Sequence, residues 1–298
     1  MRNPDPTPLS QLGENAVLAR LLPLLPGNAA LFTGAGDDCA VVQRDDQYDT
    51  LLKTDVVVEG VHFTPDTEPE RIGHKALARA MSDIAAMGGL PEHALVTLLI
   101  GKNRPVGLAE GLYRGMGELA ARYGVSIAGG ETSSLPQDGL IINIALTGVV
   151  AHGKAVLRSG GRAGDDIWVS GVLGGSFESG HHLDFEPRIA LAAALREASI
   201  RPTAMMDLSD GLATDLPRLA AASGCGFRLD TDALPCREGC STQQALCDGE
   251  DYELLFTLPH EQHQRLANWS AICPLTCIGS LTEKGTSELG CGWQHFCR

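Results

Sequence analysis

The sequence predicts a two-domain α/β protein in which helices cover mixed β-sheets. Its 298 residues are enough for about two domains, and its 44% hydrophobic and 20% charged residues are ordinary for a globular protein. Strand-like and helix-like segments also alternate along the chain, a pattern typical of layered folds. Apolar periodicity lapses between His152 and Asp166, so we predict domains at residues 1–152 and 153–298.

Apolar side chains recur at helical intervals in three parts of the first domain. These predicted helices cover residues 11–25, 71–87 and about 107–123. Strand-like segments lie at Cys39–Gln43, Thr50–Val58, Ala94–Ile100, Val125–Ala128 and Leu140–Val150. The second helix is followed by Gly88-Gly89, a C-cap signal, so Asp83 is expected in its last turns.

The same alternation restarts in the second domain. Predicted strands lie at Ile167–Ser170, Ala204–Asp207, Phe227–Asp230, Tyr252–Leu258 and Thr276–Leu281. Predicted helices cover residues 188–198, 209–223 and 260–269. Asp207 ends the predicted strand Ala204–Asp207, and Asp210 opens the predicted helix that follows it. Ser209, in the turn between them, is a candidate N-cap.

Charge and hydropathy exclude two classes of partner. The net charge of −14 argues against a nucleic-acid surface, because such surfaces bind through clustered Lys and Arg; one bound nucleotide is still compatible with it. No stretch approaches the ~18 consecutive apolar residues of a membrane span, and Met1–Leu12 lacks the basic and then apolar run of a signal peptide. We therefore expect a cytoplasmic protein that binds no membrane.

The nine cysteines offer weak support for a metal site. Cys236 and Cys240, like Cys273 and Cys277, are separated by three residues, whereas zinc ribbons favour two. Scattered reduced thiols are the favoured interpretation.

Short acidic motifs lie at the edges of the predicted strands and helices. They are Gly36-Asp37-Asp38, Thr54-Asp55, Ser82-Asp83, Gly129-Gly130-Glu131-Thr132 and Asp207-Leu208-Ser209-Asp210-Gly211. Carboxylates that converge repel one another and need a cation. Mg²⁺ takes oxygen ligands and shares them with nucleotide phosphates, so the motifs favour phosphoryl transfer.

Two of these motifs also have a simpler structural interpretation. Gly36-Asp37-Asp38 can form a tight turn with solvated carboxylates, and Ser209 or Asp210 can cap a helix. Capping does not explain Asp207. Thr54-Asp55 supplies oxygen donors that are otherwise disfavoured within a strand.

Other nucleotide and hydrolase motifs are absent from the sequence. Gly148–Lys154 has the glycines and lysine of a P-loop, but Ala155 stands where Ser or Thr is required. G-x-G-x-x-G, G-x-S-x-G and H-E-x-x-H do not occur. The usual dinucleotide, serine-hydrolase and zinc-protease sites are therefore excluded.

Taken in order, the motifs resemble thiamine-monophosphate kinase. The resemblance also rests on Glu59-Gly60-Val61-His62-Phe63, Leu157-Arg158-Ser159-Gly160, Gly249-Glu250-Asp251-Tyr252-Glu253 and Gly292-Trp293-Gln294-His295-Phe296. It covers nearly the whole chain. It implies a fold like that of aminoimidazole ribonucleotide synthetase, phosphorylation of thiamine monophosphate to thiamine diphosphate by ATP, and a homodimer formed across strands of the N-terminal half.

The resemblance also implies roles for individual residues. Mg²⁺ would be held by Asp38, Thr54, Asp55, Asp83, Glu131, Asp207 and Asp210. The catalytic residues among these would be Asp55, Asp83 and Asp210. ATP would contact Gly130, Arg158 and Ser209. The thiamine moiety would contact His62, Glu250 and Trp293, although a C-terminal core anchor also explains the tryptophan.

Two alternatives to this function stay open at this point. One is a related ATP enzyme of the same superfamily that acts on another acceptor. The other is a non-catalytic nucleotide sensor. Lys53 stands where the resembled family often has Ser or Thr, Glu131 replaces a more usual Asp, and residues 174–188 are shorter than in the longer family members.

Overall fold

The computed structural model describes residues 6–266, 269, 272–285 and 289–292. Strands of the first domain are β1 (Leu31–Thr33), β2 (Ala40–Gln43), β3 (Tyr48–Val58), β4 (Leu90–Gly101), β5 (Ser126–Leu135) and β6 (Leu140–Ala151). Those of the second are β7 (Asp166–Ser170), β8 (Ala204–Asp207), β9 (Gly226–Leu229), β10 (Leu254–Leu258) and β11 (Leu275–Thr282). The helices are α1 (Glu14–Leu21), α2 (Pro69–Ala86), α3 (Val106–Tyr123), α4 (His181–Asp184), α5 (Ile189–Glu197), α6 (Leu212–Ala222), α7 (Thr242–Cys247) and α8 (His263–Leu266). Within these residues, no helix combines the length and apolar character that crossing a bilayer requires.

The first sheet has the strand order β1-β2-β3-β6-β4-β5. It is mixed, because β4 and β5 run parallel and the other neighbours antiparallel. Side chains of β3 alternate between its faces. Leu51, Lys53, Asp55 and Val57 share the face that packs against α2, whereas Thr54 lies on the outer face.

The second sheet is antiparallel throughout its described strands, in the order β8-β10-β7-β11-β9. Its two faces pack into different cores. Trp168 and Phe256 belong to the core shared with the first domain, and Ile167 and Leu255 pack with residues of α6. Both faces of this sheet are therefore covered.

Helix α2 lies between the two sheets. It packs on β3 and β6 and also contacts β8, α4 and α5. Its many alanines, among them Ala76, Ala78 and Ala80, are almost fully buried, which lets elements approach the helix from more than one side. Asp83, near its end, is thereby placed at the junction of the domains.

Several predicted elements differ from the structure in extent, and three of them bear on the site or the sheet edges. Strand β5 continues to Leu135 rather than ending at Ala128, because it is an edge strand whose polar, exposed residues pair with β4 without showing a buried pattern. Helix α6 begins at Leu212, not near Ser209. The predicted helix at 260–269 starts as a 3₁₀ turn before α8.

Glycines permit a close crossing of α2 and α3. A Cβ atom at Gly115 would lie 1.8 Å from the backbone oxygen of Glu70. We expect Gly115→Ala to lower the free energy of unfolding by roughly 1–3 kcal/mol, the cost of overpacking a core. Urea denaturation of the whole chain measures this.

Gly117→Ala, in the same helix, is the matched control, because a Cβ atom there would meet nothing within 4 Å. It should stabilise the protein by roughly 0.5–1 kcal/mol through helix propensity. Equal unfolding free energies for the two variants would contradict the close crossing.

Candidate active site

Three buried carboxylates meet at the junction of the two domains. One oxygen from each of Asp38, Asp83 and Asp207 lies within 4.8 Å of the others. Asp38 precedes β2, Asp83 lies in the last turns of α2, and Asp207 ends β8. The structure thus brings together three of the acids that the sequence analysis predicted to converge.

Among the described residues, each of these carboxylates has a polar side-chain partner. Arg158 Nη2 donates to Asp38 Oδ1 at 2.6 Å, and Lys53 Nζ donates to Asp83 Oδ1 at 2.8 Å. Asp207 Oδ2 accepts from the Ser82 hydroxyl at 2.6 Å. Two cations therefore face three carboxylates, which leaves the cluster short of positive charge when all three are ionised.

The pKa values of the cluster reflect its burial. Burial and the neighbouring Asp38 charge together raise the pKa of Asp207 to about 6. Burial lowers the pKa of Lys53, but the Asp83 and Asp55 carboxylates raise it more, so its net pKa lies above the ordinary value. Lys53 is therefore a permanent cation within the cluster.

Asp55 lies beside the cluster and is paired with Arg79 of α2. Arg79 Nη2 is 3.2 Å from Asp55 Oδ1. Its Nε and Nη1 atoms are buried without a hydrogen-bond partner among the described residues. Buried donors of this kind are costly unless a ligand satisfies them. Nη1 also lies 3.9 Å from Glu250 Oε1, and the Arg79 residue lines an adjoining space.

That space is a cavity of about 430 Å³. Its walls include four residues that were predicted to contact ligands or metal, which are His62, Ser209, Asp210 and Glu250. The other lining residues are Val61, Arg79, Phe177, Glu178, Cys247, Asp248, Gly249, Tyr252 and Gly292.

Lys75 fixes one wall of this cavity. Its fully buried Nζ donates to the His62 carbonyl at 2.6 Å and to Glu250 Oε2 at 2.7 Å. Burial, opposed by Glu250, lowers the pKa of Lys75 to about 8. Sequence reasoning missed both Lys75 and Arg79. Their signal was two cations, four residues apart, on the buried face of a helix.

The Glu250 loop is held in a sparsely populated conformation. Glu250 and Tyr252 have φ values of 63° and 51°, a region that non-glycine residues enter at a cost of order 1–3 kcal/mol. Ser176 donates to the Glu250 carbonyl at 2.6 Å, and Phe185 stacks on Tyr252 at 4.0 Å between ring centroids. These contacts hold Glu250 at the cavity.

The Ser209-Asp210 turn is supported from within α6. The backbone N–H groups of Ser209 and Asp210 both donate to Asp215 Oδ2 at 3.0 Å. The helix N-cap is Gly211, so the prediction that Ser209 caps this helix is wrong. The Asp215 carboxylate, in the first turn of α6, accepts hydrogen bonds from the preceding loop instead. Arg218 pairs with Asp210.

Comparisons with known proteins bear on this site. The family models for AIR synthase related proteins match residues 36–150 with their N-terminal domain and 162–292 with their C-terminal domain. The thiamine-monophosphate kinase of Salmonella typhimurium is 35% identical over 280 residues, which cover 84% of each chain. The enzyme of that name from Rhodopirellula baltica is 36% identical over 267 residues, which cover 83% of each. This chain belongs to the thiamine-monophosphate kinase family.

Solved structures of the family agree with the fold. A structure described as AaThiL complexed with AMPPCP and TMP has a TM-score of 0.85 and 31% identity, covering 97% of this chain and 99% of its own. The thiamine-monophosphate kinase structure from Stenotrophomonas maltophilia has a TM-score of 0.72 and 30% identity, covering 91% and 93%. The predicted two-domain α/β fold of the aminoimidazole-ribonucleotide-synthetase-like type is thus confirmed.

Within one protomer, Thr54 and Glu131 do not belong to the cluster of Asp38, Asp83 and Asp207. The Thr54 hydroxyl lies on the outer face of β3 and donates to Asn143 at 3.0 Å. Glu131 is exposed on the edge strand β5, which β6 and β4 separate from β3. Strand alternation and sheet order thus keep both side chains away from Asp83.

Gly130 has a structural reason to be glycine. It lies in β5 with a φ of 154°, and a Cβ atom there would be 1.8 Å from the Val96 carbonyl oxygen. The close approach of β5 to β4 accounts for the residue. Contact with ATP stays a prediction.

The C-terminal segment reaches the cavity, and a disulfide joins it to α7. Cys247 and Cys291 form this bond, with Cα atoms 5.4 Å apart, so the prediction of reduced thiols is wrong for this pair. Gly292 lines the cavity. Trp293, predicted to contact thiamine, lies outside the described residues. The thiols that are free within the described residues are Cys39, Cys225, Cys236, Cys240, Cys273 and Cys277.

Proposed function

We propose that this protein transfers the γ-phosphoryl group of ATP to the phosphate of thiamine monophosphate, giving thiamine diphosphate. The observation that carries the proposal is the three-carboxylate cluster, whose Asp207 lies two residues before the cavity-lining Ser209, in a chain that belongs to the thiamine-monophosphate kinase family. A solved relative whose description names AMPPCP and TMP supports ATP as the donor. The enzyme class is a phosphotransferase with a phosphate acceptor.

The acid cluster fits Mg²⁺. Asp38 Oδ2 is buried without a hydrogen-bond partner among the described residues, and carboxylate oxygens are the ligands that Mg²⁺ prefers. We propose Asp38, Asp83 and Asp207 as the ligands that one protomer supplies. Bound there, Mg²⁺ would neutralise phosphate charge between donor and acceptor.

The acceptor does not require a general base from the protein. A phosphate monoester has a second pKa of about 6, so its attacking oxygen is ionised near neutral pH. The protein must instead hold two anions together. Arg79 and Arg158 carry buried donors without a hydrogen-bond partner among the described residues, and we propose that these arginines bind phosphate oxygens.

The wall formed by His62 and Glu250 is the proposed site of the thiamine moiety. Lys75 ties these two residues together, so the wall is pre-organised before substrate arrives. Asp210 lines the cavity and pairs with Arg218, and Asp55 pairs with Arg79, which also lines the cavity. We propose that they orient those arginines toward the phosphates, and that Ser209 contacts ATP.

The outer face of the first sheet supports the predicted homodimer. Leu52, Val56 and Leu95 expose 43%, 39% and 52% of their surface there, and clustered apolar exposure is typical of an interface. We propose that a second copy of the chain covers this face. Analytical ultracentrifugation should show a particle of two chains, and a monomer at micromolar concentration would remove this part of the proposal.

Coupled ADP detection tests the reaction. ATP is incubated with the protein and thiamine monophosphate, free thiamine or no acceptor, each with and without Mg²⁺. We expect ADP only with thiamine monophosphate and Mg²⁺ together. ATP binding without ADP in any arm would identify a nucleotide sensor, and turnover with a different phosphate acceptor only would identify a related ATP enzyme.

A further inference from the structure

A second group of metal-ligating side chains lies in the C-terminal domain, away from the acid cluster. Asp166 begins β7, Cys277 lies in β11, and His260 and His263 follow β10. Leu254 of β10 pairs with Asp207, and Leu258 pairs with Asp166. Four residues of strand therefore separate the two aspartates, about 13 Å along the sheet. The two groups are separate sites.

The side chains of this group converge on one face of the second sheet. A ligand atom from each of Asp166, His263 and Cys277 lies within 4.8 Å of the others. His263 Nδ1 is 2.7 Å from Asp166 Oδ2, and His260 Nδ1 is 3.0 Å from Oδ1. Trp168, opposite Cys277 in the ladder, packs against the His263 ring at 5.0 Å between centroids. That contact holds the imidazole at the cluster.

The charge of Asp166 lacks a permanent counter-ion in the described structure. Its side chain is 8% exposed, and its ion pairs among the described residues are with His260 and His263. A buried carboxylate is costly unless a cation pairs with it, and among the described residues neither lysine nor arginine pairs with Asp166. A bound divalent cation would supply that charge.

The donor set selects the type of metal. Imidazole nitrogen, thiolate sulfur and carboxylate oxygen are the ligands of Zn²⁺, whereas Mg²⁺ and Ca²⁺ take oxygen. The ligand atoms of a tetrahedral zinc site lie roughly 3.3–3.8 Å apart, as its bond lengths require. Atoms already within 4.8 Å reach that spacing by small side-chain rotations.

We propose that Asp166, His263 and Cys277 form a zinc-type metal site, with His260 as the fourth ligand. On binding, the Cys277 thiol releases its proton to solvent and both histidines bind as neutral imidazoles. The site would fasten the His260–Leu266 segment to β7 and β11. It is independent of the proposed kinase reaction.

Cobalt titration of the full chain tests this proposal. The metal-free protein is titrated with Co²⁺ in excess Mg²⁺, which saturates the oxygen ligands of the acid cluster. We expect a thiolate-to-cobalt charge-transfer band that saturates at one equivalent and is displaced by Zn²⁺. Absence of this band in the wild-type protein would overturn the proposal and leave Asp166 as a hydrogen-bonded carboxylate only.

Three variants test which residues give rise to the charge-transfer band. Cys277→Ser should abolish it, and His263→Ala should weaken Co²⁺ binding at least about 10-fold. Cys39→Ser is the matched control, because Cys39 is a buried thiol beside the acid cluster, and it should leave the band unchanged. A band lost in Cys39→Ser and kept in Cys277→Ser would overturn the proposal.

The exposed ligand provides a variant that should not disturb folding. His260 is 75% exposed, so His260→Ala should keep the fold and lower Zn²⁺ affinity. Unchanged zinc content after dialysis in both histidine variants would also overturn the site. These measurements use no kinase substrate, so failure of the kinase proposal would not be mistaken for failure of this one.

Discussion

Asp207→Asn is expected to lower the rate of ADP formation from ATP and thiamine monophosphate by at least about 10²-fold, the loss typical of removing one preorganised electrostatic group. The amide keeps the size of the side chain and can still accept from the Ser82 hydroxyl, 2.6 Å from Asp207 Oδ2. What it removes is one negative charge from the cluster that is proposed to hold Mg²⁺. The steady-state rate over a range of Mg²⁺ concentrations measures the effect.

The pH dependence of the wild-type rate provides an internal check. The pKa of Asp207 is raised to about 6, and the ionised form is the one that binds a cation. The wild-type rate should therefore rise with pH through about 6, where the acceptor phosphate also ionises. In the variant the rise should be less steep, because only the acceptor still titrates there. Asp49→Asn, another buried aspartate, hydrogen-bonded to His152 and Gly153, should keep the wild-type rate. Near-wild-type turnover in Asp207→Asn would exclude the cluster from the reaction.

Lys53→Met is expected to lower the free energy of unfolding by about 3 kcal/mol in the absence of divalent metal. The substitution leaves Asp83 as a buried carboxylate without its cation, and breaking such a pair is strongly destabilising. Lys53 Nζ lies 2.8 Å from Asp83, whose side chain is 9% exposed. Methionine fills a similar volume, so loss of charge dominates over loss of packing.

Added Mg²⁺ should stabilise the Lys53→Met variant more than the wild-type protein, since the ammonium group no longer competes for the carboxylates. Urea denaturation with and without Mg²⁺ measures both quantities, and the exposed Lys102→Met serves as the control. Equal stabilisation of variant and wild type by Mg²⁺ would show that Lys53 does not share the cation site.

Much of the local structure could be predicted from the chain alone. The helix predicted at 71–87 is α2, Pro69–Ala86, because its apolar side chains have a strong helical period. The extent of the edge strand β5 was harder to predict. The polar residues of β5 are held by backbone hydrogen bonds to β4, and such pairing does not depend on a buried side-chain pattern.

The sequence predicted several acids of the candidate site and Arg158, but not the two cations of α2. Asp38, Asp83 and Asp207 stand in conspicuous Gly- and Ser-containing motifs, and the structure brings them together. Lys75 and Arg79 lie in a helix that otherwise shows an ordinary amphipathic pattern. Their role depends on Glu250 and Asp55, the carboxylates that they contact. The helical periodicity of the sequence cannot predict such contacts, because they join segments that are distant in the chain.

Most secondary-structure elements, the acidic motifs at their ends and the family resemblance could be predicted from the chain, since each depends on residues close together in it. Which of those motifs share a site depends on the tertiary structure. Ser82 and Asp207 are 125 residues apart and hydrogen-bonded, whereas Thr54 and Asp55 are adjacent and point to opposite faces of β3. The reason is that strand alternation separates neighbours and sheet packing joins distant segments, so proximity in sequence does not fix proximity of side chains.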